Sequence, residues 1–287
     1  MSKSWLSPLL IATSIMAGAF LNAPLAMASD EPAIKELAQK IAQKDADALK
    51  QLETLAEHGD MVAQDRLGLV YLAGQGVKAD YPLARKWLFK SAVQNYAEAE
   101  SHIAYMYQMG IGTDKNMKES LIWYQMACAH ANVASCFNLG VIYEAGKNTP
   151  KDIQQAEKMY RKAAEAGLAA AQLNLGLIYL GQEGIDKDYA EANLWINKAV
   201  QAGDPKAMYY LGIVYQNGLG VKASDSEAFA WYLKSAEAGY WIAAGIVSDA
   251  YKKGSFGLTK DEAKATEWYQ KYIADQIHDQ SRRAPKH

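Results

Sequence analysis

Small and apolar residues recur along this chain at i, i+4, i+5 and i+8, as in Ala63, Leu67, Gly68 and Tyr71, a spacing that puts all four on one face of an α-helix. The pattern returns in steps of 36 residues. Leu67-Gly68 is followed by Ile103-Ala104, Leu139-Gly140, Leu175-Gly176, Leu211-Gly212 and Val247-Ser248, and three residues past each pair stand Tyr71, Tyr107, Tyr143, Tyr179, Tyr215 and Tyr251. Behind each tyrosine comes a second apolar stripe. It reads Ala84, Trp87 and Ala92, then Ser120, Trp123 and Cys128, later Ala192, Trp195 and Val200, and then Ala228, Trp231 and Ala236; Met159 replaces one tryptophan and Trp268 closes the series. These aromatics are predicted core. No stretch shows strand-like alternation, so the pattern predicts an all-α chain built from six helix-turn-helix repeats. Self-similarity at a period of tens of residues is the signature of a solenoid, in which each unit packs only on its neighbours.

The junctions agree with that reading. First helices stop at Gly74-Gln75-Gly76, Gly110-Ile111-Gly112, Gly184, Gly218-Leu219-Gly220 and the looser Gly254-Ser255-Phe256-Gly257, where glycine permits a left-handed helix end. Second helices then start at a column of N-cap residues, Asp80, Asn116, Asp152, Asp188, Ser224 and, shifted one place, Asp261. Glu119, Gln155, Glu191 and Glu227 follow three residues later and predict capping boxes. Gly68, Ala104, Gly140, Gly176, Gly212 and Ser248 are small where a helix former is cheaper, which predicts a close helix approach. The loop Lys147-Asn148-Thr149-Pro150 departs from the glycine pattern and is expected to be displaced.

Four segments result. Residues 1–28 read as a signal peptide, with Lys3, an apolar run from Leu9 to Leu21 and the small-x-small Ala26-Met27-Ala28, so cleavage is expected after Ala28. The alternative is an uncleaved anchor, but the run is shorter than the roughly 20 residues a bilayer requires, so stable membrane insertion is not expected. Residues 29–59 read as two N-terminal capping helices, with Ala33, Leu37 and Ile41 on one face and Leu49, Leu52, Leu55 and Ala56 on another. Gly59 opens a column that continues through Asn95, Ala131, Gly167, Gly203 and Gly239. Residues 60–276 hold the repeats, and 277–287, with Arg282, Arg283 and Lys286, read as a disordered basic tail or a short docking segment. The formal net charge of −2 leaves no basic stripe of the kind nucleic acid requires. The export signal places the mature protein in a bacterial periplasm.

The columns A-x-x-x-L-G-x-x-Y-x-x-G-x-G-V and A-x-x-W-Y-x-x-A-A-x-x-G resemble the Sel1-like repeat, over roughly residues 60–276. The resemblance implies a right-handed α-solenoid, related to tetratricopeptide repeats, whose first helices line a concave surface. Cys128 and Cys136 have a spacing similar to that of the Helicobacter cysteine-rich branch of the family, which implies a disulfide; two buried thiols are the alternative. A bridge closing so short a loop in an oxidising compartment contributes about 2 to 3 kcal/mol in the chain-entropy model. That branch has been described as penicillin-binding or weakly penicillin-hydrolysing. Exported Sel1-like proteins also include immunity proteins against periplasm-targeted toxins.

No constellation points to catalysis. The Gly-x-Gly loops follow helices rather than strands and lack a third glycine, so they read as turns and not phosphate cradles. His58, His102, His130, His278 and His287 have no metal-ligand spacing, so neither a metal nor a cofactor is expected. There is no G-x-S-x-G, and Ser91 and Ser235 do not open an S-x-x-K motif. A binding surface is the better reading. Arg66, His102, Asn138, Asn174 and Tyr210 flank the buried face of successive first helices, with Met106, Ile142 and Ile178 four residues on and Asn217 beyond. Stacked, they form a groove, polar on one edge and apolar on the other, suited to a peptide or partner helix. The alternative is that the apolar members are core. The expected protein is thus a monomeric, non-enzymatic adaptor for another protein or peptide, with an immunity protein against a periplasm-targeted toxin, or a penicillin-binding protein or weak β-lactamase, as the alternatives. Mass spectrometry of the natively exported protein after alkylation should find neither Cys128 nor Cys136 modified.

Overall fold

The computed structural model describes residues 31–146, 149–181 and 184–283. The leader 1–28, Lys147, Asn148 and the last four residues of the tail lie outside these. Among the described residues the chain is helical throughout, with fourteen helices and no strand. Two helices precede the repeats, α1 (Glu31–Ala42) and α2 (Ala46–Glu57). Six pairs follow: α3 (Met61–Ala73) with α4 (Tyr81–Ala92), α5 (Ala97–Met109) with α6 (Met117–Ala129), α7 (Val133–Ala145) with α8 (Ile153–Glu165), α9 (Ala169–Tyr179) with α10 (Tyr189–Gln201), α11 (Pro205–Asn217) with α12 (Asp225–Glu237), and α13 (Trp241–Lys253) with α14 (Glu262–Arg283).

The chain divides into two compact units at Leu139/Gly140, inside α7. In the first unit α1 packs on α2 and α3, and α3, α4, α5 and α6 pack in sequence. Ile34 and Ile41 of α1 meet Leu52 and Ala56 of α2 and Leu67 and Val70 of α3 in one core that also takes in Trp87. The N-terminal pair thus covers the apolar side of the first full repeat, as an end cap must. In the second unit the same succession runs from α8 through α14.

Each pair is closed in the same way. The small column lets the second helix come close: a Cβ added at Gly68 would lie 2.7 Å from Leu88, at Gly140 2.5 Å from Tyr160, at Gly176 2.7 Å from Ile196 and at Gly212 2.6 Å from Tyr232, all inside contact distance. All six expected N-caps accept a backbone N–H of the second helix's first turn: Leu83 to Asp80, Glu119 to Asn116, Gln155 to Asp152, Glu191 to Asp188, Glu227 to Ser224 and Lys264 to Asp261. The predicted capping boxes are corrected by what the N-cap's own N–H does. In every repeat it donates to the carbonyl of the column tyrosine, Asp80 to Tyr71, Asn116 to Tyr107, Asp152 to Tyr143, Asp188 to Tyr179, Ser224 to Tyr215 and Asp261 to Tyr251, at 2.9 to 3.0 Å. The acceptor that a capping-box glutamate would supply is already provided, and Glu191 instead takes the indole N–H of Trp195 at 2.9 Å.

Two further expectations change. Trp87, Trp123 and Trp195 are buried as predicted, but Trp231 and Trp268 keep a partly exposed face. A lysine three residues on lies over the ring, Lys90 on Trp87 at 4.3 Å, Lys198 on Trp195 at 3.8 Å, Lys234 on Trp231 at 4.1 Å and Lys271 on Trp268 at 4.6 Å. The ammonium covers the ring's outer face while remaining hydrated. The tail expected to be disordered from residue 277 is helical to Arg283, because no glycine or proline occurs between Glu262 and Arg283 to stop α14.

The turn between repeats needs one residue in the left-handed region, with φ of 95° at Gly59, 91° at Gly167, 82° at Gly203 and 90° at Gly239. Asn95 and Ala131 hold it at 65° and 67°, which costs a side-chain-bearing residue about 1 kcal/mol. Nothing lies within 4 Å of a Cβ at Gly203, so only the backbone is at issue. Denaturant unfolding should therefore show Ala131→Gly more stable by about 1 kcal/mol and Gly203→Ala less stable by a similar amount.

Candidate functional site

The groove expected from the sequence is only partly built. Met106, Ile142 and Ile178 are 2%, 7% and 0% exposed, so the apolar edge is core and not surface. The reason is helical spacing: Met106 lies three residues past Ile103, on the face that already holds Ile103 and Tyr107. The exposed apolar stripe lies one residue earlier. Tyr105 is 46% and Val141 40% exposed, with Leu69, Leu177 and Ile213 half-buried in the same column, and Met109 at the end of α5 is 55% exposed.

The polar edge is half-buried, and most of it is engaged. His102 Nδ1 lies 2.7 Å from Oδ1 of Asp65, a fully buried carboxylate on α3. Asn138 and Asn174 each donate to a tyrosine hydroxyl, those of Tyr124 and Tyr160. Tyr210 sits edge-on to Tyr209 with ring centroids 5.2 Å apart, and Asn217 is exposed but folds back onto its own helix, donating to the Ile213 carbonyl at 2.9 Å. Arg66 is half-buried. The surface that faces solvent on the first helices is therefore Arg66, Leu69, His102, Tyr105 and Met109 in the first unit, and Val141, Leu177, Tyr210, Ile213 and Asn217 in the second.

Three buried hydroxyls stiffen this face from behind. Tyr124 donates to Gln108 at 2.9 Å, Tyr160 to Glu144 at 2.6 Å and Tyr232 to Gln216 at 2.7 Å, each reaching 16 residues back to the first helix of its own repeat. Burial holds the Tyr124 hydroxyl neutral, with its pKa raised to about 12, and raises Tyr160 and Tyr232 as well. Where Leu88 and Ile196 replace tyrosine, the partner positions are Leu72 and Leu180. The two columns vary together, polar with tyrosine and aliphatic with aliphatic, and that signal was present in the sequence.

A second set of bonds ties successive repeats. Gln64 donates to the Ala56 carbonyl at 2.9 Å and Gln172 to the Ala164 carbonyl at 3.2 Å, each across the inter-repeat turn to a residue eight back. Cys136 occupies the same column, and its partner eight back is Cys128, to which it is bonded by a disulfide with Sγ atoms 2.02 Å apart. The covalent bond thus stands where a hydrogen bond stands elsewhere. Glu100 fills that column in α5. It is fully buried and accepts from His130 at 2.9 Å. Burial raises the Glu100 pKa, and the hydrogen bond and charge of His130 only partly offset that.

The remaining candidates for chemistry are accounted for by packing. Ser91 and Ser235 are buried and donate to the Met61 and Pro205 carbonyls at 2.7 and 2.6 Å, which removes them as nucleophiles. The second glycine of each Gly-x-Gly turn is pressed against its neighbour: a Cβ at Gly112 would lie 2.4 Å from Tyr81 and one at Gly220 2.7 Å from Tyr189, so no phosphate has room there. Among the described residues no cluster of His, Cys, Asp and Glu could hold a metal ion, and no helix is long and apolar enough to cross a membrane.

An array of helix pairs joined in register, with recurrent polar bolts and no catalytic arrangement among the described residues, defines a helical repeat protein of the solenoid class. Sel1 repeat models match residues 62–96, 97–132, 133–168, 169–204, 205–240 and 243–272, and the chain belongs to the Sel1 repeat family. No curated protein matches it. Among solved structures it resembles a Sel1 repeat protein from Oxalobacter formigenes, 29% identical with a TM-score of 0.71 over 84% of this chain and 99% of that one. It also resembles c5321, a protective antigen of uropathogenic Escherichia coli displaying an SLR fold, 26% identical with a TM-score of 0.74 over 93% of this chain and 60% of that one. The immunity protein Pa5087 from Pseudomonas aeruginosa, 21% identical over 75% of this chain and 81% of its own with a TM-score of 0.45, is too distant to bear on function.

Glu100 yields a pH prediction. A carboxyl whose pKa is higher folded than unfolded binds more protons in the folded state, so stability falls as pH rises from the ordinary carboxylate range through the raised value. Glu100→Gln removes the charge and supplies the amide that bonds the carbonyl eight residues back, as at Gln64 and Gln172. Urea titrations at neutral pH should show the variant more stable by about 1 kcal/mol, with a flatter pH dependence than the parent.

Proposed function

We propose that this chain is an exported, non-enzymatic adaptor that holds another polypeptide on the exposed face of its first helices. The observation that carries the reading is the recurrence of partly exposed apolar and amphipathic side chains at one register on rigid helices, Leu69 and Tyr105 in one unit and Val141, Leu177 and Ile213 in the other, with Met109 and Tyr210 beside that column. A single exposed apolar residue means little, but a periodic series on a bolted scaffold is how repeat proteins present a binding surface. Sel1 repeats typically mediate protein–protein interaction. The Cys128–Cys136 disulfide supports a working compartment that is oxidising, in keeping with the leader and a periplasmic location.

The Tyr105 and Met109 side chains carry the reading's sharpest consequence, because neither is needed for the core. Pull-down from periplasmic extract with the mature protein should recover a discrete partner. The double variant Tyr105→Glu with Met109→Glu should lose it while its thermal midpoint stays within about 3 °C of the parent. Retention of the partner by a folded double variant would remove this face from the proposal. Fractionation should place the chain in the periplasm with Ser29 as its first residue.

A further inference from the structure

The helix α4 differs from every other second helix in its charge. It carries Arg85, Lys86 and Lys90, with Lys78 in the loop before it, and the one acid from Lys78 to Lys90 is Asp80. The Asp80 carboxylate is already used, accepting the Leu83 amide at 2.9 Å. Among the described residues none of the four cations pairs with a carboxylate. In α8, by contrast, Arg161 lies 2.9 Å from Glu157, while α12 carries Asp225, Glu227 and Glu237 beside its single Lys234.

Two of the charges, Arg85 and Lys86, border an aromatic floor. Pro82, Arg85, Lys86 and Phe89 line a shallow cleft of about 340 Å³. Phe89 is held edge-on by Trp123 at 5.2 Å, and the Arg85 guanidinium lies 5.3 Å from the Phe89 ring centre while donating to the Tyr107 hydroxyl at 2.9 Å. Tyr81, 44% exposed, stands at one end of the helix and Val93, 65% exposed, at the other. The position of Val93 is taken by Ala129, Glu165, Gln201 and Glu237 in the next four repeats, so among these five a large apolar side chain stands there only in the first.

We infer that the solvent face of α4 is a second docking surface, distinct from the first-helix face, which takes an acidic polypeptide segment bearing an apolar side chain. Unpaired cations around a small apolar cleft attract carboxylates and give the apolar residue a seat. A membrane surface fits less well. Phe89 lies against Trp123, and Tyr81 and Val93 are single exposed side chains at opposite ends of the helix, which do not make the continuous apolar face that lies in a bilayer.

The test uses the mature full chain and a short fluorescein-labelled peptide of glutamates around one central phenylalanine, followed by anisotropy. Saturable binding is expected that weakens with salt and is absent for the matching glutamine peptide. Lys78 and Lys86 are exposed, and the contact of Lys86 with the Trp87 ring, at 5.7 Å, is backed by the closer Lys90, so Lys78→Glu with Lys86→Glu should fold normally and bind about tenfold more weakly. The same charge change at Lys222 and Lys252 in the other unit should leave affinity within about twofold. No saturable binding, or equal losses in the two double variants, would overturn the assignment. So would phosphatidylglycerol vesicles that bind through Lys78 and Lys86 where the peptide does not.

Discussion

The structure depends on how closely two helices of about a dozen residues each can approach. Short helices are marginal by themselves, and their stability comes from the face they bury. Here the approach is set at one point per repeat, where Gly68, Gly140, Gly176 or Gly212 receives Leu88, Tyr160, Ile196 or Tyr232 against bare backbone. At those four glycines a methyl group would press into the opposing side chain as it is placed, while Ala104 and Ser248 fill the column in the other two repeats. The bond from the N-cap amide to the tyrosine carbonyl accompanies the approach whichever small residue is present. It recurs in all six repeats, including the third, whose loop abandons the glycine pattern, and the last, whose loop carries an insertion.

Around this invariant point the sequence is free to vary, provided polar groups are matched. A tyrosine laid over the small column brings a hydroxyl into the interior, and a buried hydroxyl without a partner costs about 1 to 3 kcal/mol. Gln108, Glu144 and Gln216 answer that hydroxyl from the first helix, and Asn138 and Asn174 add a donor from the next. The inter-repeat turn is bolted by an amide at Gln64 and Gln172 and by a covalent bond at Cys136. These are alternative solutions to one requirement, that successive pairs stay in register. A scaffold held this way can expose residues such as Tyr105 and Met109, since nothing in the core relies on them.

The repeat, its period, the helix starts and the N-caps were legible in the sequence, because each rests on local chemistry or on a spacing that recurs; the end of α14 was not. The position of the binding face was not. Placing Met106, Ile142 and Ile178 on the surface required knowing how far round each helix the core extends, and a shift of one residue turns a side chain by about 100°. The asparagine column misled for a related reason. Asn138 and Asn174 look like free amides along one strip of sequence, and only the folded chain brings Tyr124 and Tyr160 beneath them. The pairing of tyrosine with glutamine or glutamate 16 residues earlier was readable, and so was the lysine three residues after four of the tryptophans.

By itself the sequence determined an all-helical array of six Sel1 repeats behind two capping helices, because helix periodicity, capping and left-handed turns are properties of a few neighbouring residues. Tertiary structure alone decided which side chains meet solvent. It sank the apolar edge of the expected groove, spent the asparagines on buried hydroxyls, and left α4 with its cations unpaired. Exposure is a property of what a residue is packed against, and for these helices such partners lie 16 to 37 residues away along the chain.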